Sequence, residues 1–141
     1  MKKQLIYIFF TSVILTIGAC SKDNSASEIT LTQQLLSNKT WYLDYVQTIK
    51  ATGTNTKTYL GQSTYYINFL KDQTTQDSDG LNGTYSVEKI NGQLQIRVKA
   101  KTGNANLVEY IYNIEKVGTS NLILYYTISD QTIKQYYSNN K

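Results

Sequence analysis

The chain has 141 residues, one cysteine, no histidine, no proline and a formal net charge of +4 at pH 7. The lack of histidine excludes Ser-His and Cys-His catalytic pairs and imidazole metal sites. A lone cysteine likewise excludes an internal disulfide, a CxxC redox pair and a thiolate cluster. We therefore expect no enzymatic activity, no catalytic residue, no metal site and no cofactor.

Residues 1–19 have the pattern of a secretory signal peptide. Lys2 and Lys3 precede an apolar segment of thirteen residues from Leu5 to Ile17. This segment is shorter than the roughly 20 residues that a membrane-spanning helix needs. Removal of the signal would take away two lysines and lower the net charge from +4 to +2.

The stretch Ile17-Gly18-Ala19-Cys20 resembles the lipobox of bacterial lipoproteins, in which a peptidase cuts before the cysteine and the cysteine is acylated. The resemblance implies that Cys20 is the lipidation site and that the mature chain attaches to a membrane through it. Two or more acyl chains make such attachment stable. We expect a cell-envelope protein anchored to the outer membrane, on its periplasmic or its surface-exposed side. The alternative is a plain secretory signal with an unmodified Cys20.

Residues 20–28 contain the predicted lipidated cysteine and a polar stretch without large apolar side chains, which indicates a flexible tether. A short helix is predicted next, because Thr30 and Gln33 form a capping-box pattern. Its end is predicted at Ser37-Asn38. Its apolar side is predicted to comprise Leu31, Leu35 and Leu36.

From Trp41 onward, apolar and polar residues alternate in short runs separated by Gly, Asn, Asp and Ser, which predicts eight strands. The polar interval Lys71–Gly83 is predicted to be a loop. Asn91-Gly92 predicts a tight hairpin, because both central residues of a type I′ turn need positive φ. Short connections make sequential strands antiparallel neighbours, and eight of them lose their free edges by closing. The predicted fold is all-β: an eight-stranded antiparallel up-and-down barrel with one short N-terminal helix.

Three stretches resemble the lipocalin-like lipoproteins of Bacteroidetes, in which a lipobox, a polar tether and a short helix precede a Leu-Leu-x-x-x-x-Trp-x-Leu strand. They are Leu35–Leu43, Tyr66–Phe69 and Gly83–Val87. Where lipocalins carry a glycine two positions before the tryptophan, this chain has Lys39. The resemblance implies a lipocalin-like barrel domain at residues 29–141.

Aromatic side chains on the predicted inner face are the candidate ligand-binding residues. An eight-stranded barrel is just wide enough to be filled by side chains or to hold one small ligand. Each buried tyrosine hydroxyl needs a hydrogen-bond partner, so a tyrosine-lined interior suits an amphipathic ligand. For the tryptophan, plugging one barrel end beside the helix is the alternative to ligand contact. The candidates are Trp41, Tyr45, Tyr65, Phe69, Tyr85, Tyr110, Tyr112 and Tyr126.

The carboxylates suggest two further sites that we do not favour. Asp77-Ser78-Asp79-Gly80 resembles the start of a calcium loop, but Leu81 and Asn82 stand where a ligand and a glycine are needed. A polar hairpin loop explains it better. Glu109 and Glu115 fall on the polar face of one strand, where solvation explains them better than a glycosidase pair.

These patterns favour a lipid-anchored envelope protein that holds a small amphipathic or apolar ligand in its barrel. The alternative is an interaction or structural lipoprotein whose filled barrel docks a protein or polymer. An open interior of about 300 Å³ or more would favour ligand binding over docking. We expect a monomer and no nucleic-acid partner, because the basic residues are scattered. Only Arg97, Lys99 and Lys101 cluster, as a solvated strand face or a patch for an anionic partner.

Overall fold

The computed structural model describes residues 25–60, 62–103 and 106–140. The predicted leader, Cys20 and residues 21–24 lie outside the described residues. Within these ranges the chain forms one helix and nine strands. They are α1 (Ser25–Leu36), β1 (Lys39–Lys50), β2 (Gly53–Thr58), β3 (Tyr66–Phe69), β4 (Thr74–Asp77), β5 (Leu81–Ile90), β6 (Gln93–Thr102), β7 (Val108–Val117), β8 (Asn121–Ile128) and β9 (Gln131–Ser138).

Eight of the strands form a closed antiparallel barrel, which confirms the predicted fold. β1 and β3 to β9 pair in sequence, and β9 pairs back with β1 to close the wall. The first residues of β1, Lys39–Tyr42, pair with β3, and its last residues, Tyr45–Lys50, pair with β2. β2 is therefore an extra strand that continues one edge of β1 beyond β3.

The prediction of a loop throughout Lys71–Gly83 was wrong, because β4 lies inside it and pairs with both β3 and β5. The strand is polar, yet Thr75 is only 3% exposed. Its hydroxyl donates to the Asn68 carbonyl at 2.8 Å. A buried threonine whose hydroxyl is paired fills an inward position without adding an apolar residue to the sequence pattern. Hydrophobic alternation cannot detect such a strand.

The helix begins at Ser25, earlier than predicted, so Ser25–Glu28 are helical rather than part of a tether. Thr30 is consequently not the N-cap. Its hydroxyl instead donates to the Ala26 carbonyl one turn earlier, at 2.9 Å. The predicted end is confirmed: Asn38 adopts φ 57°, the left-handed conformation that commonly terminates helices.

One end of the barrel is closed by α1. Leu36 and Trp41 are fully buried there, and the Trp41 Nε1–H donates to the Leu36 carbonyl at 3.0 Å. Leu31, predicted on the same side, is 56% exposed, because the packed face of the helix contains Ile29, Thr32 and Leu36. Trp41 therefore lies beside the helix at the barrel end, where the end-plug interpretation places it.

Lys39 caps this closed end from outside. Its Nζ lies 5.2 Å from the centroid of the Trp41 ring and donates to the Thr119 carbonyl at 2.9 Å. On another side, Glu28 of α1 forms an ion pair with Lys89 of β5. Polar contacts therefore tie the helix end of the barrel to the strands around it.

The barrel wall is incomplete between β7 and β8. The two strands pair from Asn113 with Tyr125 to Val117 with Leu122. Among the described strands, no pairing joins Val108–Tyr112 to Tyr126–Ile128. Each of these two segments is hydrogen-bonded only on its other side, to β6 and β9 respectively. The wall therefore opens at the end of the barrel remote from α1.

Candidate functional site: the open end of the barrel

The barrel contains an open cavity of about 340 Å³ at the end remote from α1. The strand directions fix this position. Phe69, the last residue of β3, pairs with Lys39 beside the helix. Tyr66 at the start of β3 and Asp77 at the end of β4 therefore lie toward the opposite end, and both line the cavity. We call this cavity the mouth.

The lining of the mouth combines aromatic rings, aliphatic side chains and oxygen-bearing side chains. Its two ionisable side chains other than tyrosine are both carboxylates, and no lysine or arginine of the described chain belongs to the lining. The lining residues are Leu43, Tyr65, Tyr66, Ile67, Asp77, Ser78, Asp79, Leu81, Tyr110, Tyr112, Leu124, Gln135 and Tyr137.

Two of the tyrosines that line the mouth have raised pKa values. Burial is the main reason that the pKa of Tyr112 is raised to about 12, with smaller contributions from Tyr126, Tyr110 and Asp77. Burial also raises the pKa of Tyr137 well above its usual range. Both hydroxyls therefore keep their protons at neutral pH and can donate as well as accept hydrogen bonds.

Gln135 provides a buried acceptor. It pairs with Leu124 of β8 and Val46 of β1 and so belongs to the inner face. Its Oε1 is buried and accepts no hydrogen bond from any described residue. Leaving a buried acceptor without a donor costs about 1–3 kcal/mol. A donor on a bound molecule would remove that cost.

The β4–β5 turn holds the two carboxylates at the rim. The Asp77 Oδ1 accepts from the backbone N–H of Asp79 at 2.9 Å and of Leu81 at 3.0 Å. Gly80 supplies the positive φ of 80° that the turn requires. Asp77 therefore shapes this hairpin turn. No cluster of three or more potential metal ligands occurs in the described part of the chain.

Three of the eight predicted ligand-binding residues line the mouth: Tyr65, Tyr110 and Tyr112. Tyr126 lies beside them, because its ring packs edge-on against that of Tyr112 with centroids 5.7 Å apart. The structure therefore brings four of the predicted tyrosines to the open end. Tyr65 lies just before β3 and Tyr110 near the start of β7.

Three other predicted residues face the interior but lie away from the mouth. Trp41 and Phe69 are fully buried, and Tyr85 is 4% exposed. The Tyr85 ring packs edge-on against Phe69, and its hydroxyl donates to the Leu70 carbonyl at 3.0 Å. These three side chains fill the barrel near α1, so their assignment to a ligand is not supported by the cavity.

The prediction that Tyr45 points inward was wrong. The β1–β9 register shifts between Leu43 and Tyr45, so Leu43 pairs with the buried Tyr137 but Tyr45 pairs with Tyr136. The Tyr45 and Tyr136 rings stack on the outer face with centroids 4.1 Å apart. A bulge at Asp44 inserts one residue and reverses the alternation that the sequence pattern assumes.

Sequence reasoning missed six lining residues that carry polar side-chain atoms: Tyr66, Asp77, Ser78, Asp79, Gln135 and Tyr137. For Tyr137 a signal existed, because its alternation with Ile133 in β9 marks the inner face. The same alternation includes Gln135. The two aspartates lie at a turn, where sequence periodicity gives no direction.

A second depression opens beside the mouth through the incomplete wall. It has a volume of about 370 Å³ and is bounded by Glu109–Tyr112 of β7 and Tyr126–Ile128 of β8. We call it the lateral cleft. It shares Tyr110 and Tyr112 with the mouth. The surface around it carries a group of exposed apolar side chains: Leu107, Val108, Tyr110, Ile111 and Ile128.

The basic cluster on β6 is partly neutralised on the outer face. The Arg97 Nε lies 2.6 Å from Glu88 Oε1, and its Nη1 lies 2.9 Å from Glu109 Oε2. Lys99 lies 3.8 Å from the same Glu109 carboxylate. This arrangement weakens the interpretation of the cluster as a patch for an anionic partner.

The helix of the described residues is not long and apolar enough to cross a bilayer. No protein-family model matches the chain, and no curated protein matches it at a significant level.

Proposed function

We propose that the protein is a lipid-anchored envelope protein that binds a small amphipathic molecule at the open end of a lipocalin-like barrel. The observation that carries the proposal is the mouth, with its volume of about 340 Å³. Small-molecule sites commonly have about 300–1,000 Å³. The mouth is thus large enough for one small ligand.

The chemistry of the lining supports an amphipathic rather than a purely apolar ligand. Leu43, Leu81 and Leu124 contribute apolar surface, whereas Gln135 and the tyrosine hydroxyls offer hydrogen-bonding atoms. A ligand with an apolar body and a few polar groups would match both parts. An apolar molecule alone would leave the Gln135 Oε1 without a donor.

The competing function is docking of a protein or an envelope polymer. The exposed apolar side chains around the lateral cleft favour it, because contiguous apolar surface often marks an interaction site. Docking needs no cavity, however, whereas the mouth remains open while the end near α1 is filled. Ligand binding therefore accounts for more of the barrel.

Retention of a ligand tests this proposal. We expect native mass spectrometry of the full chain, extracted from its own host in mild detergent, to detect a co-purifying small molecule. Leu81→Trp should abolish retention, because it adds a large ring to the lining of the mouth. Leu60→Trp, at a position 65% exposed and outside that lining, is the matched control. Absence of any bound molecule from the unmodified chain would favour docking.

Membrane attachment is proposed from the lipobox alone. Replacing Cys20 by Ala in the full chain removes the thiol that lipidation requires, whereas Ser21→Ala changes the next residue and leaves the thiol in place. We expect loss of the thioether-linked acyl mass in the Cys20 variant only. If the Cys20 variant still carried that mass, or if the unmodified chain never did, the anchor would be ruled out.

A further inference from the structure

The charge of the mouth selects among amphipathic ligands. Asp77 and Asp79 place two carboxylates at its rim, and the described lining contains no basic side chain to neutralise them. The Gln135 Oε1 adds a buried partial negative charge that no hydrogen bond from a described residue offsets. Among the described lining residues negative charge therefore exceeds positive charge, which disfavours an anionic ligand.

The aromatic rings of the mouth also favour a cationic ligand over an anionic one. Five tyrosines of the described chain line the mouth. The face of an aromatic ring attracts a cation, and rings surrounding a quaternary ammonium group are a recurrent recognition site. Next to the rim the chain already makes such a contact: the Lys57 Nζ lies 5.0 Å from the centroid of the Tyr59 ring. Tyr59 in turn packs edge-on against Tyr65, with centroids 4.8 Å apart.

The lateral cleft provides space for an apolar chain. It adjoins the mouth at Tyr110 and Tyr112, which contribute to both. Ile111 and Ile128 line its outer part and are 41% and 53% exposed. A molecule with its head in the mouth could therefore cover this apolar surface with its tail.

We propose that the ligand is a free amphipathic organic cation, with its ammonium group in the mouth beside Asp77 and Asp79 and its apolar chain in the lateral cleft. This inference rests on the proposed function, because it assigns a ligand class to the same cavity. It also gives the incomplete β7–β8 wall a role as the exit for the tail.

The charge of the ligand's head group can be tested with probes that share one hexyl tail and differ in head-group charge. Calorimetric titration would use the full lipidated chain in a non-ionic maltoside detergent, with empty micelles as the blank. We expect hexyltrimethylammonium to bind at least about tenfold more tightly than hexyl sulfate or hexanol. Asp79→Asn should remove most of that preference. Glu115→Gln, which changes charge equally in an outer ion pair with Lys134, should leave it unchanged.

Two more comparisons test the tail and the source of the cation. Tetramethylammonium should bind more weakly than hexyltrimethylammonium, and Ile111→Ser should reduce this difference because it makes the cleft polar.

Dihexanoyl phosphatidylcholine carries the same head next to a phosphate, which the rim carboxylates would repel. Weaker binding of this lipid supports a free cation, and tighter binding would replace the inference with recognition of a lipid headgroup.

The possible failures are distinguishable. Equal or tighter binding of hexyl sulfate or hexanol would overturn the cation assignment while leaving a ligand-binding mouth. If no probe bound but native mass spectrometry still showed a retained small molecule, the cation assignment would likewise be overturned and the ligand-binding mouth would stand. No binding of any probe and no retained molecule would overturn both this inference and the proposed function.

Discussion

Leu36→Ala tests whether packing of α1 closes one end of the barrel. Leu36 is fully buried and is the last residue of the helix. Alanine keeps the backbone carbonyl that accepts from Trp41 and does not lower helix propensity, so the substitution isolates side-chain packing. Leucine-to-alanine changes at such sites cost about 2–5 kcal/mol. We expect a loss of about 3 kcal/mol here, because the cavity would form between a helix and a rigid barrel that cannot collapse around it.

Urea unfolding followed by tryptophan fluorescence measures this loss, because Trp41 is the one tryptophan of the sequence and contacts the perturbed end. With a urea dependence of about 1–3 kcal/mol per molar, the midpoint should fall by about 1–3 M. Leu31→Ala on the same helix is the control. Leu31 is 56% exposed, so its replacement should change stability by less than about 0.5 kcal/mol. Equal losses in the two variants would refute the assignment of Leu36 as the packed residue.

Three further predictions concern the strands and the mouth. Gly83→Ala should cost at least about 1–3 kcal/mol in urea unfolding, because its Cβ would lie 2.1 Å from the Lys99 carbonyl oxygen and force β5 away from β6; unchanged stability would contradict this close approach. Because burial raises the pKa of Tyr112 to about 12, compared with about 10 in an unfolded chain, its contribution to stability is complete below about pH 10 and is lost as pH rises toward 12. Melting temperatures across this range should decline less steeply in Tyr112→Phe, and an identical decline would argue against the shift. Finally, Tyr110→Phe and Tyr112→Phe should each change stability by no more than about 1–3 kcal/mol but should weaken ligand retention; loss of stability with unchanged retention would favour docking.

The fold was largely predictable because its determinants are local. Alternation identified most strands, and Asn91-Gly92 adopts the positive φ values, 51° and 81°, that its hairpin turn requires. β4 was missed because a hydrogen-bonded threonine, Thr75, occupies its buried position. Tyr45 was assigned to the wrong face because the bulge at Asp44 depends on the pairing with β9, which the local pattern of β1 does not encode.

The candidate site was less predictable than the fold. Alternation identifies the face on which a side chain lies but not its depth along the barrel axis. Phe69 and Tyr112 both belong to the inner face, yet one is packed in the filled end and the other lines the mouth. Depth depends on where the helix closes the barrel and where β7 separates from β8. Both features arise from contacts between segments distant in sequence.

The pairing of β1 with β9 also has a kinetic consequence. The Ser138 hydroxyl donates to the Asp44 carboxylate across 94 positions of the chain. To form contacts between such distant residues, the chain must lose a large loop-closure entropy before the contacts contribute favourable free energy. This requirement slows folding. Until β9 is in place, β1 and β8 remain exposed strand edges on which a second unfolded chain can pair. Closure by the last strand is therefore the step at which productive folding competes with aggregation.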